Sequence, residues 1–231
     1  PEAGAGLAEA RARYGEAAEF QELDDPEERT AELLAQGHIV ARCSGRMEFG
    51  ARALGNRSIL ADPGNPGVVN VINRMIKQRD FWMPFAPAVL GEQAERYVHV
   101  PSALPRPRVS PYMMHAFETT GRREDFIAAV HSADQTARVQ MVWKDLNPSF
   151  HALIEAFGRV TGRWVLLNTS FNLHGFPIVG GACDAVEVFL RSGLDYLVID
   201  RCLVTKRRGV EPCRPSSRQE GLRARNLMSS A

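Results

Sequence analysis

Residues 45–63 read GRMEFGARALGNRSILADP. Three arginines, Arg46, Arg52 and Arg57, alternate with Gly45, Gly50 and Gly55, and Met47, Phe49, Leu54, Ile59 and Leu60 fill the spaces between. Arginine carries a permanent charge and a planar fork of donors, so three of them on a glycine-kinked segment suit a phosphate or carboxylate ligand. The glycines let the backbone come close and present its own N–H groups. Glu48 and Asp62 supply compensating acids that could orient the arginines or hold a magnesium ion. On residue types alone two readings stay open, an anion-binding segment and a structural loop whose arginines pair with acids elsewhere. The spacing matches no P-loop pattern.

Around this stretch the chain has the length and composition of a globular protein. Its 231 residues suffice for one substantial core, with 45% hydrophobic and 24% charged content. No apolar run reaches membrane-spanning length and the N-terminus lacks a basic-then-apolar leader pattern, so a cytoplasmic location is expected. Cys43, Cys183, Cys202 and Cys213 are far apart with no CxxC pair, which points to reduced structural thiols rather than a zinc or redox site. A net charge of +1 gives no global reason to expect nucleic acid. From Arg201 onward, however, eight Lys/Arg stand against two Glu.

Residues 1–25 are rich in Ala, Glu and Gly and read as a connector, with one exposed helix over 7–20. Asp25-Pro26 starts a helix that Gly37 stops, and a strand follows at 38–43. Asn65-Pro66 opens another helix with Val68, Val71, Ile72, Met75 and Ile76 on one face, leaving Asn73, Lys77 and Arg79 free to reach a site. RDFWMPFAPAVL, residues 79–90, reads as a packed aromatic turn entering a strand, in which Phe81 or Trp82 could lie beside a nucleotide ring. Four prolines make 101–111 a loop, a candidate flap, before a strand centred on Met113 and Met114.

Two later blocks carry polar groups in patterned positions. In HSADQTARVQMVW, residues 131–143, Thr136, Arg138 and Gln140 share one parity, so a single half-buried strand would put them on one face. That face is either solvent-exposed or the floor of a polar pocket. Asn147-Pro148 then starts a helix with Leu153, Ile154, Phe157 and Val160 as its apolar positions, ending near Gly162. The apolar strand WVLLN, residues 164–168, breaks into Thr169, Ser170 and Asn172. Polar side chains at the end of a buried strand need partners, and such strand ends are where α/β proteins place ligands. A helix over 184–192 and strands at 196–199 and 202–205 close the domain, followed by a basic tail from 207 to 231.

EFGARALGNRSILADP resembles the opening signature of the C-terminal domain of the O-carbamoyltransferases that modify antibiotics and nodulation factors. The usual form is EFGPRALGNRSILADP, so Ala51 stands in place of a proline. The second block resembles the family's HxDGTARxQ, with Gln135 in place of glycine, and the third its LNTSFNxxGEPIV, with Phe176 in place of glutamate. The resemblance runs from about residue 37 to 206.

It implies an α/β domain of the YrdC-like fold, a twisted mixed sheet with helices packed outside and a concave nucleotide-binding face, here spanning 26–206. It also implies activation of carbamoyl phosphate by ATP to carbamoyl-adenylate, with pyrophosphate and phosphate released and magnesium held mainly by phosphates. By matching positions, Arg52, Lys77, Arg138 and Ser170 would be catalytic, while Arg57, Thr136, Asn168 and Asn172 would bind the nucleotide. A separate N-terminal metal-binding domain, in cis or in trans, would pass the carbamoyl group to a small-molecule hydroxyl. The chain begins at Pro1, and the resemblance favours a piece of a longer protein. Two rival readings are a non-catalytic nucleotide-binding module dependent on a missing partner domain, and an RNA-binding domain related to tRNA modification and using the basic tail.

Overall fold

The computed structural model describes residues 2–77, 85–104 and 108–207. Among these residues one mixed sheet of eight strands runs in the order β1-β10-β9-β2-β3-β8-β4-β7. The strands are β1 Ala18–Glu22, β2 Val40–Cys43, β3 Arg57–Ala61, β4 Ala86–Leu90, β7 Gln140–Val142, β8 Val165–Ser170, β9 Tyr196–Ile199 and β10 Cys202–Lys206. Only β2 with β9 and β4 with β7 are parallel; the other neighbours are antiparallel. β5 Phe117–Glu118 and β6 Thr136–Ala137 form a separate ribbon. The mixed sheet with helices on its outside is the YrdC-like architecture that the sequence implies.

Side chains alternate across the sheet and divide the core into two layers. Ile59, Ala61, Leu167 and Leu197 pack with α1 Leu7–Tyr14, α3 Val68–Ile72 and α5 Ala182–Arg191. Leu60, Ala88, Leu166 and Val198 pack with α2 Pro26–Ala35 and α4 Pro148–Thr161, which also pack on each other. Burying a Leu or Phe contributes about 1.5–3 kcal/mol, and Leu33, Leu34, Leu153 and Phe157 are all buried here.

The helix starts follow from local chemistry. The Asp25 carboxylate accepts the Glu28 N–H at 3.0 Å, and the Asn147 side-chain oxygen accepts that of Phe150 at 3.1 Å. Each cap is followed by proline at the first helical position. α4 ends on Gly162 in the left-handed conformation.

Several expectations need correction. Residues 7–22 are no connector: Ala10 and Tyr14 of α1 are buried against the α5 layer, and β1 pairs with β10 from Ala18↔Lys206 to Glu22↔Cys202. Alanines at 3, 10 and 18 let this segment approach closely without large apolar groups. The helix stops at Gly15, well short of residue 20. The helix after Asn65-Pro66 is one short α-helical turn that loosens into a π-helical one over Asn73–Lys77.

Met113 takes a positive φ of 57° and Met114 is exposed, so the strand expected there shrinks to Phe117–Glu118. The single strand across 136–142 splits into β6 and β7, which belong to different sheets. At the break, Ser110 donates to the Val139 carbonyl and accepts the Met141 N–H through its own. Val160 is exposed on α4 and contributes nothing to the core.

Phe81, Trp82, Arg79, the middle of the proline loop, Cys213 and the basic tail beyond Arg207 lie outside the described residues, while Arg207 itself donates its N–H to the Ala17 carbonyl at 2.9 Å. Cys43, Cys183 and Cys202 are free, and burial pushes the Cys43 thiol up to about 12. No helix among the described residues is long and apolar enough to cross a membrane.

Candidate active site

β8 lies between β3 and β4, with Ser58 opposite Ser170 and Ala86 opposite Asn168. Where β8 ends, a small polar cleft of about 100 Å³ is lined by Arg52, Arg138, Asn168, Thr169 and Ser170, with Ala51, Ala53, Phe85, Ala86 and Met113 as its apolar walls. Four of the residues singled out in the sequence, Arg52, Arg138, Asn168 and Ser170, thus meet from three separate blocks. Two guanidinium groups and no carboxylate line this space.

The loop carrying Arg52 is shaped by the protein's own acid. One Glu48 oxygen accepts the N–H groups of Leu54 and Asn56, both at 2.7 Å, and of Arg57 at 3.3 Å. These amides are therefore not offered to a ligand, and Glu48 organises backbone instead of orienting arginines. Asp62 pairs with Arg163 and caps the Gly64 N–H. Gly55, at φ 117°, lies so close to the Phe150 ring that a Cβ would collide with it.

Arg42, which the sequence reading did not select, holds the Gly55 carbonyl at 2.6 Å and reaches Ser149, which in turn donates to Glu27. Burial lowers its pKa, against the raising effect of Glu27, Glu48 and Asp200. A lone charge in the apolar strand VARC was the available signal.

Arg57 departs from its expected role. It is fully buried, and its guanidinium donates to the carbonyls of Gly180 at 2.8 Å, Ser44 at 2.9 Å, Asn56 at 2.8 Å and Gly45 at 3.2 Å. It ties three backbone segments together and does not line the cleft. Arg52, by contrast, is exposed and makes no hydrogen bond or ion pair among the described residues.

Thr136 also lies apart from the cleft lining. Its hydroxyl and N–H both donate to Asp134 Oδ1, at 2.8 and 2.9 Å, and His131 Nδ1 is 3.0 Å from the same oxygen. The Thr136 hydrogen bonds, backbone first, lower the Asp134 pKa. Gln135 accommodates the glycine position at a φ of 58° and donates to the Ser132 carbonyl at 2.8 Å. Asn172 acts through its neighbour: Ser170 Oγ donates to Asn172 Oδ1 at 2.8 Å, while Asn172 Nδ2 donates to the Phe176 carbonyl at 2.6 Å. Phe176 itself lies under the Arg191 guanidinium, 5.7 Å from the ring centroid. Lys77 ends the π-helical turn, and its side chain lies outside the described residues.

The most informative polar group is Asn168. Its Nδ2 donates to the Ala53 carbonyl at 3.1 Å and to Gln140 Oε1 at 2.9 Å, and Gln140 Nε2 donates to the Leu54 carbonyl at 2.8 Å. Carbonyls only accept, so this chain of bonds fixes which way both amides point. It leaves Asn168 Oδ1 buried without a partner among the described residues. Leaving such an acceptor unmet costs about 1–3 kcal/mol. Gln140, the third polar residue of the 136–140 face, was the missed member of this set.

Residues 31–206 match the family described as carbamoyltransferase C-terminus. The chain is 40% identical over 194 residues to nodulation protein NolNO of Sinorhizobium fredii, covering 84% of this chain and 28% of that protein. It is 35% identical over 166 residues to 3'-hydroxymethylcephem-O-carbamoyltransferase of Amycolatopsis lactamdurans, covering 72% of this chain and 30% of that one. The chain therefore spans about a third of the length of these curated relatives. In structure it is similar to full-length HypF in its phosphate- and nucleotide-bound form, with a TM-score of 0.54 at 18% identity over 84% of this chain and 23% of that one. With the match extending from α2 through β10 and taking in every residue that lines the cleft, the chain belongs to the carbamoyltransferase C-terminal family.

Proposed function

We propose that the cleft at the end of β8 binds carbamoyl phosphate and the phosphates of ATP, and that the chain forms carbamoyl-adenylate there. The observation that carries this reading is the unmet Asn168 Oδ1 in a cleft bordered by Arg52 and Arg138. The two cations suit phosphate oxygens. The orphaned oxygen suits something else: with its amide hydrogens committed to Ala53 and Gln140, Asn168 can only accept. It is matched to the N–H₂ of a carbamoyl group and mismatched to a phosphate oxygen, so it separates carbamoyl phosphate from inorganic phosphate.

The residues present fit the chemistry. Carbamoyl phosphate loses phosphate to water, and an oxygen of the resulting carbamate attacks the α-phosphorus of ATP. The bond to the β-phosphate breaks and pyrophosphate leaves with its electron pair. Arg52 and Arg138 hold mutually repelling anions together and offset the charge that develops on the leaving group. Asn168 and Ser170, the latter positioned by Asn172, orient the carbamoyl end. By the resemblance, Lys77 would join them. Magnesium, held mainly by phosphate oxygens, would supply further charge neutralisation. Transfer to a small-molecule hydroxyl would fall to an N-terminal metal-binding domain outside this chain.

The test is pyrophosphate release from ATP and magnesium, with and without carbamoyl phosphate. Release that needs carbamoyl phosphate and falls about 10²-fold or more in Arg138→Ala is the expected outcome. ATP binding without release would point to a module that works only beside its partner domain. Absence of ATP binding would sink the adenylate reading.

A further inference from the structure

The cleft is smaller than the pair of ligands proposed for it. Ligand pockets commonly enclose roughly 300–1,000 Å³, whereas this one offers about 100 Å³. That suits a single phosphate-sized group; carbamoyl phosphate beside the phosphates of ATP requires that a wall give way. Most of the walls are fastened. Ala51 and Ala53 sit on the loop that Glu48 holds through the Leu54, Asn56 and Arg57 amides. Ala86 belongs to β4 and Phe85 to the core layer of α3. Asn168, Thr169 and Ser170 belong to β8.

Met113 differs. It is buried and lines the cleft, yet it joins none of the three apolar clusters of the core. Its backbone stands at φ 57°, a left-handed conformation that is strained for a residue with a side chain. Ser110 is left-handed too, at φ 44°, but it is buried and clamped beside the break between β6 and β7. Its hydroxyl donates to the Val139 carbonyl at 2.9 Å, and its own carbonyl accepts the Met141 N–H at 2.9 Å. Val109 next to it packs in the core and accepts the Trp143 indole N–H at 3.1 Å. Beyond this stem, residues 111–114 pair with no strand among the described residues. Tyr112 and Met114, on either side of Met113, are exposed. A fixed stem thus carries a strained tip, and the tip supplies one wall of the cleft.

We propose that Met113 is a gate, the yielding wall of the cleft: the 111–114 tip turns about the clamped Ser110, Met113 leaves the left-handed conformation, and the space it vacates admits carbamoyl phosphate beside a nucleotide phosphate. The proposal rests on reading the cleft as the phosphate and carbamoyl site. Strain in the closed arrangement narrows its advantage over the open one, which is what a two-state element needs. An anion the size of inorganic phosphate enters without moving the gate.

The experiment titrates the 231-residue chain with carbamoyl phosphate and, separately, with inorganic phosphate, by calorimetry for affinity and by stopped flow for rate. Met113→Ala removes the wall, and Met113→Leu keeps its bulk. An open state populated at roughly 10% or less lowers apparent affinity about tenfold or more. Met113→Ala is therefore expected to bind carbamoyl phosphate about tenfold more tightly, whereas the loss of a packing or ligand contact would weaken it. In the unaltered chain and in Met113→Leu the binding rate should level off with carbamoyl phosphate concentration, at the rate of opening; in Met113→Ala it should keep rising. Inorganic phosphate should bind all three alike. Weaker or unchanged carbamoyl phosphate binding by Met113→Ala, with phosphate binding kept, overturns the gate and spares the cleft reading. A rate that never levels off in the unaltered chain overturns it as well. So does loss of both anions in Met113→Ala, because Met113 would then support the cleft itself. If the unaltered chain binds neither anion, the cleft reading falls and takes this one with it.

Discussion

Asn168 on β8 and Gln140 on β7 are joined side chain to side chain at 2.9 Å, although β4 lies between their strands. Gln140 passes the contact on to the Leu54 carbonyl. The central sheet therefore grips the arginine-glycine loop through one polar bridge.

Gln140→Leu leaves the Leu54 carbonyl without its donor and frees one Asn168 N–H. A stability loss of about 1–3 kcal/mol in urea denaturation is expected, together with weaker carbamoyl phosphate binding. Unaltered binding at reduced stability would show that the bridge serves packing alone.

The two arginines of one motif have opposite uses. Arg57→Met strips four carbonyls of a buried cation, and the expected cost is about 3 kcal/mol or more, read from the denaturation midpoint. Arg52→Ala removes an exposed, unpartnered side chain, so stability stays within about 0.5 kcal/mol while phosphate-bearing ligands bind less tightly.

Much of the fold could be read along the chain because its signals are local. Asp25-Pro26 and Asn147-Pro148 announce helices that the structure caps as expected. The apolar run before Asn168 announces a buried strand. What could not be read depends on distant partners. β1 is a strand because β10 waits at the sheet edge, and nothing within residues 18–22 says so. Periodicity across 136–142 likewise conceals the change of sheet between Ala137 and Gln140. In the site, Arg52 and Arg57 are chemically identical in the sequence. Only the carbonyls converging from residues 44, 45 and 180 decide that one is scaffold.

Gln135 occupies the left-handed region, which costs a residue with a Cβ about 1–2 kcal/mol relative to glycine. Gln135→Gly relieves that strain but loses the bond to Ser132 and adds freedom to the unfolded chain. The expected net gain is up to about 1 kcal/mol, measurable as a raised urea midpoint. A drop would mean that the Ser132 contact outweighs the strain.

The turn over 131–136 depends on an ionised Asp134. Its folded pKa lies below the usual carboxylate value, so the contribution is complete above about pH 4 and is lost as pH falls through the lower folded value. The Thr136 amide resonance should report this, holding its position to below pH 4 and then moving. Titration at or above the ordinary carboxylate range would contradict the arrangement.

Glu48, Arg57 and Arg42 fasten residues 48–57 from within, from behind and from the adjoining strand. Fixing a backbone residue costs about 1–2 kcal/mol of conformational entropy, and here folding has met that cost before any ligand arrives. A small anion reaching Arg52 therefore finds most of the loop already in place. Its association should resemble entry into a rigid receptor, with little change in heat capacity and no slow ordering step after encounter.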